Sequence, residues 1–289
     1  MEPTNDSILV FKFGGASVKS AEAINNVVDI LKRYDNRKII VVVSAMGKTT
    51  NNLENLFDAA INQNKELFTS SKETLYDFHI EIINTLFSDG THKTIKHEID
   101  QVFDDINAFY LKQSSKPRSQ RYDSFISFGE HLSSIILQFK IKQELNKSIW
   151  SDARQLIKTD DQFQRANVDW HASIKLIQEY CKAELDANRI IVTQGFISSN
   201  TLGETTTLGR EGSDYSAGIF AHALDAESVT IWKDVPGMLN ADPKFFKNTQ
   251  KLDRISFREA IELSYYGASV IHPKTCLLYT SDAADEVRR

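Results

Sequence analysis

Side chains suited to phosphate and carboxylate chemistry gather in residues 205–218, TTTLGREGSDYSAG. Arg210 is a planar donor that can hold a carboxylate or phosphate through two parallel hydrogen bonds. Ser213 and Asp214 are natural N-caps for the apolar helical run that follows, and the free N–H groups of a helix start form an anion site. Gly209 and Gly212 would let the backbone take positive φ and come close to a ligand. Taken alone, the stretch fits a capped loop-to-helix turn as well as it fits an anion loop.

Other candidates lie at the ends of apolar runs. Lys12 sits inside ILVFKF, and Gly14 and Gly15 follow before Ser17 opens a helix. Desolvating a lysine is costly unless an anion meets it; the alternative is an edge-strand lysine reaching to water. The strand, Gly-Gly, helix order is that of a phosphate site, without the spacing of the P-loop or dinucleotide fingerprints. After IIVVV comes SAMGKTTNN, where Ser44 and Thr50 could donate to a carboxylate, or Thr50 could simply cap the next helix. Glu130, just past Gly129, could accept from a substrate ammonium; in a first helical turn it is equally explained by the helix dipole. Lys233 and Lys244 flank DVPGMLNADP, whose Pro236-Gly237 and Asp242-Pro243 pairs mark turns. That loop suits an adenine pocket with cations near phosphates, or a surface turn.

The elements that must position these residues alternate. Strand-like runs occupy residues 8–13, 39–43, 149–157, 190–197 and 228–232, and helical periodicity fills 21–34, 53–111, 168–185, 214–224 and 255–266. The β-branched IIVVV suits a parallel strand covered on both faces. SSKPRSQ at 114–120 reads as a loop, GASVIHPKT as a short strand with a proline stop, and His79, His92 and His97 as surface residues. The pattern predicts a three-layer αβα sandwich with a mainly parallel central sheet and a helical insertion. Ligands in such sheets bind outside the carboxyl ends of the strands, where these loops converge.

Composition narrows the classes. At 289 residues, 41% hydrophobic and 25% charged, the chain can bury a substantial core. A net charge of −5 without clustered cations argues against a nucleic-acid partner. No apolar run approaches a membrane span, and the N-terminus lacks a signal-peptide pattern. Cys181 and Cys276 make neither a disulfide framework nor a metal-ligand spacing, which fits a reducing cytoplasm.

Together and in order, KFGGASV, VVVSAMGKTTNNL, SFGEHLS, VTQGFI, TTTLGREGSDYSA, IWKDVPGMLNADPK and EAIELSYYGASVIHPKT closely resemble the aspartate kinases of the amino-acid kinase family. The resemblance implies the amino-acid kinase fold and transfer of the γ-phosphoryl group of MgATP to the β-carboxylate of L-aspartate. That step yields 4-phospho-L-aspartate for lysine, threonine and methionine biosynthesis. It implies Lys12 and Asp214 as catalytic residues, with Lys12 on the transferring group. Ser44, Thr50, Glu130, Arg210 and Ser213 would bind aspartate. Gly14, Gly15, Lys233, Asp234, Gly237 and Lys244 would contact ATP; Mg2+ accompanies the nucleotide and no protein metal ligands are expected. Other members of the family act on acids such as acetylglutamate or glutamate, and an inert nucleotide- or aspartate-binding fragment is the non-enzyme alternative.

The resemblance departs at Lys233, Leu239, Lys244 and Ser269, where better-known members carry Thr, Tyr, Arg and Lys. All four lie on the ATP side, and Lys233 is expected to supply the cation lost at Ser269. Residues 1–275 are expected to form the catalytic domain, with an amino-acid lobe to about residue 200 and a nucleotide lobe after it. The paired regulatory ACT domains that follow in the family are expected to be missing here, and the full-length form is expected to be a homodimer. Residues 276–289 are expected to be an artefactual tail, because CLLYTSDAADE resembles a translated sequencing adapter.

Overall fold

A computed structural model describes residues 6–112, 114–235, 237–241, 245–256, 259, 260 and 262. Lys244, Ser269, the expected helix beyond residue 262, the HPKT strand and the 276–289 tail lie outside them. Strand β1 (Ile8–Phe13) leads through a 3-10 turn at Gly15–Val18 to α1 (Ala21–Lys32) and β2 (Lys38–Val43). Helices α2 (Thr49–Ile61), α3 (Lys65–Leu86), α4 (Thr91–Leu111), α5 (Arg118–Ile126) and α6 (Phe128–Leu145) follow. Then come β3 (Ser148–Ser151), the single turn α7 (Ala153–Leu156), α8 (Trp170–Asp186) and β4 (Ile190–Gln194). A hairpin of β5 (Ile197–Ser199) and β6 (Thr205–Thr207) precedes α9 (Gly212–Leu224) and β7 (Ser228–Trp232).

Among the described residues the central sheet has the order β3-β4-β2-β1-β7, with every pairing parallel. Strand alternation sorts side chains to two covered faces. Leu9, Phe11, Phe13, Ile39, Val41 and Val43 pack under α1–α6. Val10, Ile40, Val42 and Ile191 pack under α8 and α9. The expected αβα sandwich is therefore present, and the long helical stretch is the cover of one face. Parity also places Lys12: it shares its face with Val10, the side on which α9 lies.

Several local readings differ. The run 149–157 is strand only as far as Ser151, and Ala153–Leu156 forms the helical turn α7. Ser17 lies in the 3-10 turn, and the cap of α1 is Ser20, whose hydroxyl accepts from Ala23 N. The 114–120 loop is shorter than expected because α5 begins at Arg118. His79 is fully buried: it shares a helical face with Leu75, Ile82 and Ile83, and its Nδ1 meets Leu75 O at 2.7 Å. With that carbonyl as acceptor, Nδ1 carries the proton, and burial holds the ring neutral against the carbonyl's pull towards the charged form.

Burial pushes the His79 pKa from 6.5 down to about 4. A neutral imidazole contributes stability in full above the unfolded value; the contribution is lost as pH falls from 6.5 towards 4. The loss should approach about 3 kcal/mol at 1.36 kcal/mol per unit. His79→Leu should flatten the acid limb of a plot of unfolding midpoint against pH between those values; an unchanged limb would contradict the assignment.

Candidate functional site

The parallel strands deliver their C-terminal loops to one edge, where the ladders continue past the strand ends. Gly14 N donates to Trp232 O at 3.1 Å, Ser44 N to Phe13 O at 3.1 Å, and Gly195 N to Val43 O at 2.9 Å. Gly15 must be a glycine for steric reasons, since a Cβ there would stand 2.6 Å from Ala45 O. These contacts fix the loops after β1, β2, β4 and β7 relative to one another.

Entry into α9 differs from the expected Ser213 and Asp214 cap. Glu211 takes the cap position at φ 55°, without a side-chain capping bond, and Ser213 and Asp214 lie in the first turn. Gly209 does adopt positive φ, at 80°, but Gly212 does not. Gly212 is required because a Cβ would meet Phe196 Cδ2 at 2.8 Å. Freed from capping, the Asp214 carboxylate turns to the sheet edge.

There it stands between two ammonium groups. Lys12 Nζ lies 2.6 Å from Asp214 Oδ1, and Lys233 Nζ lies 2.8 Å from Oδ2. Lys12 is 5% exposed and Asp214 1% exposed. Burial lowers the Lys12 pKa, and Asp214 opposes that shift. Two cations on one buried carboxylate leave a positive excess, which a phosphoryl anion would neutralise.

Next to this trio opens a cavity of about 570 Å³. Ser44, Thr50, Glu130, Arg210 and Ser213 all line it, so five residues named from the sequence meet on one wall system. Thr50 lies in the first turn of α2 rather than at its cap, which is Lys48. Glu130, in the first turn of α6, is 4% exposed. Its Oε1 accepts from Ala45 N at 3.2 Å, whereas buried Oε2 has no hydrogen-bond partner. Burial raises its pKa to about 8, opposed by the Ala45 N–H and the Lys12 charge. A buried carboxylate with an idle oxygen fits an incoming ammonium donor.

Residues that sequence reasoning missed complete the cavity: Glu54, Arg118, Tyr122, Gln164, Phe196, Thr207 and Glu211. Tyr122 donates to Glu54 Oε1 at 2.6 Å, and Arg118 pairs with Asp58 at 2.5 Å. Behind them, fully buried Asp123 accepts from Gln164 N at 2.8 Å and from Thr207 N and Oγ1 at 2.9 Å each. An acid inside the apolar run YDSFISF was the available signal for Asp123; nothing in the sequence marks Gln164. On the other side, Asp234 is exposed and Gly237 has φ 132°. Among the described residues no group of three or more His, Cys, Asp or Glu could hold a metal ion. No described helix is long and apolar enough to cross a membrane.

The model of the amino acid kinase family matches residues 7–283. The chain belongs to the amino acid kinase family. Lysine-sensitive aspartokinase 3 of Escherichia coli is 33% identical to this chain over 270 residues, covering 93% of the chain and 58% of that protein. A crystal structure of E. coli aspartokinase III in complex with aspartate and ADP superposes with a TM-score of 0.86 at 33% identity, covering 94% of this chain and 59% of that one. The aspartate kinase of Clostridium acetobutylicum gives 0.72 at 26% identity, covering 94% and 57%. The chain thus spans less than two thirds of the length of these relatives.

Proposed function

We propose that the chain carries the catalytic unit of an ATP-dependent aspartate kinase, which moves the γ-phosphoryl group of ATP to the β-carboxylate of L-aspartate. The observation that carries this is the buried Lys12–Asp214–Lys233 trio beside a cavity offering both an ammonium acceptor, Glu130, and a carboxylate clamp, Arg210. The similar E. coli enzyme binds aspartate and ADP in its crystal structure, which supports the pairing of an amino-acid site with a nucleotide site. A β-carboxylate oxygen attacks Pγ, the bond from Pγ to the ADP oxygen breaks, and 4-phospho-L-aspartate and ADP result. The nucleophile is already ionised, so Asp214 need not remove a proton. It holds Lys12 and Lys233 where charge spreads over the transferring group.

Ser44, Thr50 and Ser213 complete the acceptor site, while Gly14, Gly15, Lys233, Asp234, Gly237 and Lys244 serve the nucleotide. Mg2+ enters as part of MgATP, matching its habit of keeping phosphate and water ligands. The acceptor cavity draws on both sides of residue 200, since Arg210 and Ser213 join Ser44 and Glu130. An ADP-release assay with L-aspartate, L-glutamate and N-acetylglutamate tests the assignment: aspartate should be strongly preferred. Preference for either other acid would transfer the chain to a different carboxylate kinase, and no turnover with any would leave a binding fragment.

Two variants probe separate walls. Glu130 must ionise to meet the ammonium, so kcat/KM for aspartate should rise with pH up to about 8. Glu130→Gln should raise the aspartate KM by about 10- to 100-fold, the worth of a charged hydrogen bond, and abolish that rise. The same variant should be more stable than the parent above pH 8, where the parent buries a charge; a less stable variant there would argue against the burial assignment. Lys233→Ala should lower kcat or raise the ATP KM by about 10-fold, the effect of roughly 1.4 kcal/mol. Unchanged values of both would remove Lys233 from the phosphoryl site.

A further inference from the structure

Part of the left-handed backbone lies at the cavity. Seven described residues other than glycine have positive φ. Gln63, Asn146, Asn188 and Asp225 do so at or just past the ends of helices, a usual place for left-handed backbone. The other three, Gln164 at φ 68°, Phe196 at 67° and Glu211 at 55°, all line the cavity. Side-chain-bearing residues stay in this region only where their surroundings over-determine it, and such positions cluster at ligand sites.

Gln164 is over-determined from two directions. Its N–H is held by the buried Asp123 carboxylate, which also grips Thr207 at the end of β6. Its loop is closed on itself: Asp160 Oδ1 accepts from the Gln162 and Asn167 N–H groups, Asn167 Nδ2 donates to Asp160 Oδ2, and Asn200 Nδ2 ties Asp161 to the hairpin. Its carbonyl oxygen stands 3.2 Å from where a Gly209 Cβ would be, so the residue abuts the segment that carries Arg210. A left-handed position would be filled without strain by glycine, yet an amide side chain occupies it on the cavity wall.

We propose that Gln164 is a specificity-determining contact: its side-chain amide NH2 and the Arg210 guanidinium together receive a carboxylate of the amino-acid substrate. This rests on reading the cavity as the amino-acid acceptor site. Asp123 is the positioning residue behind it, because it fixes the Gln164 backbone and the β6 end together. The rigid wall sets how long an acid the cavity accepts.

Two variants test it with readouts that a structural role would not move. Gln164→Gly relieves the left-handed strain, so its thermal unfolding midpoint should rise by about 2–4 °C. The same variant should bind L-aspartate about 3- to 10-fold more weakly by calorimetry in the presence of ADP, the loss of one neutral hydrogen bond. Its preference for aspartate over glutamate in kcat/KM should narrow, and its ATP KM should stay at the parent value. Gln164→Glu keeps size and backbone state but places an anion against a carboxylate, so aspartate affinity should fall about 10-fold or more with little change in midpoint. Aspartate affinity within twofold of the parent in either variant overturns the inference. A parent protein that neither binds nor phosphorylates aspartate overturns the reading of the cavity itself, a different and separable result.

Discussion

Lys12→Met should lower kcat by about 10²- to 10³-fold, the usual effect of removing one donor aimed at developing charge, while leaving the fold intact. Lys12 is the polar member of ILVFKF, its face packs under α9, and its ammonium ends 2.6 Å from Asp214. Methionine fills a similar volume and keeps β1 paired with β2 and β7. Asp214 retains Lys233 as a partner, so no buried charge is abandoned. The aspartate KM should change little above about pH 8, where Glu130 is ionised, because the acceptor cavity does not include Lys12. Steady-state kinetics with both substrates check this; a normal kcat would remove Lys12 from the reacting centre.

Asp214→Asn should be more damaging to the protein and about equally damaging to turnover. The carboxylate separates two cations at the sheet edge, and breaking a buried pair by removing one partner costs about 3–5 kcal/mol. The lower end applies, because Lys233 is partly exposed and its ammonium can turn to solvent. Burial already lowers the Lys12 pKa, with Asp214 the main force holding it up. Without that carboxylate Lys12 should lose its proton more readily, so residual activity in Asp214→Asn should increase as pH is lowered. Urea unfolding and a pH–rate profile check both parts. Unaltered stability together with a parent-like profile would mean that the ion pairs do not govern this site.

How much of this was legible before the fold depended on what kind of fact was needed. Lys12 was visible because a charge inside an apolar strand conflicts with its surroundings unless something meets it. The parallel sheet was visible because IIVVV suits two covered faces. Arg210 was visible as a residue type in a glycine-containing loop and Glu130 as an acid in a first helical turn past Gly129, but that they share one cavity is a tertiary fact. The start of α9 was misread by two residues: side-chain capping preference favoured Ser213 and Asp214, whereas the helix begins at Gly212 behind a left-handed Glu211 that makes no side-chain capping bond. His79 was misread because its polarity outweighed its spacing of four from Leu75. Gln164 carried no signal, since a left-handed glutamine looks like any other until Asp123 is found beneath its N–H.

The central claim is that this site joins Pγ of ATP to the β-carboxylate of L-aspartate, using the Lys12–Asp214 pair. Trapping with hydroxylamine during turnover tests it most directly, since an acyl phosphate is captured as a hydroxamate. The predicted result is aspartate β-hydroxamate equimolar with the ADP released, nearly abolished in Lys12→Met and Asp214→Asn. ADP release from aspartate without hydroxamate, or hydroxamate formation that persists in both variants, would contradict the account.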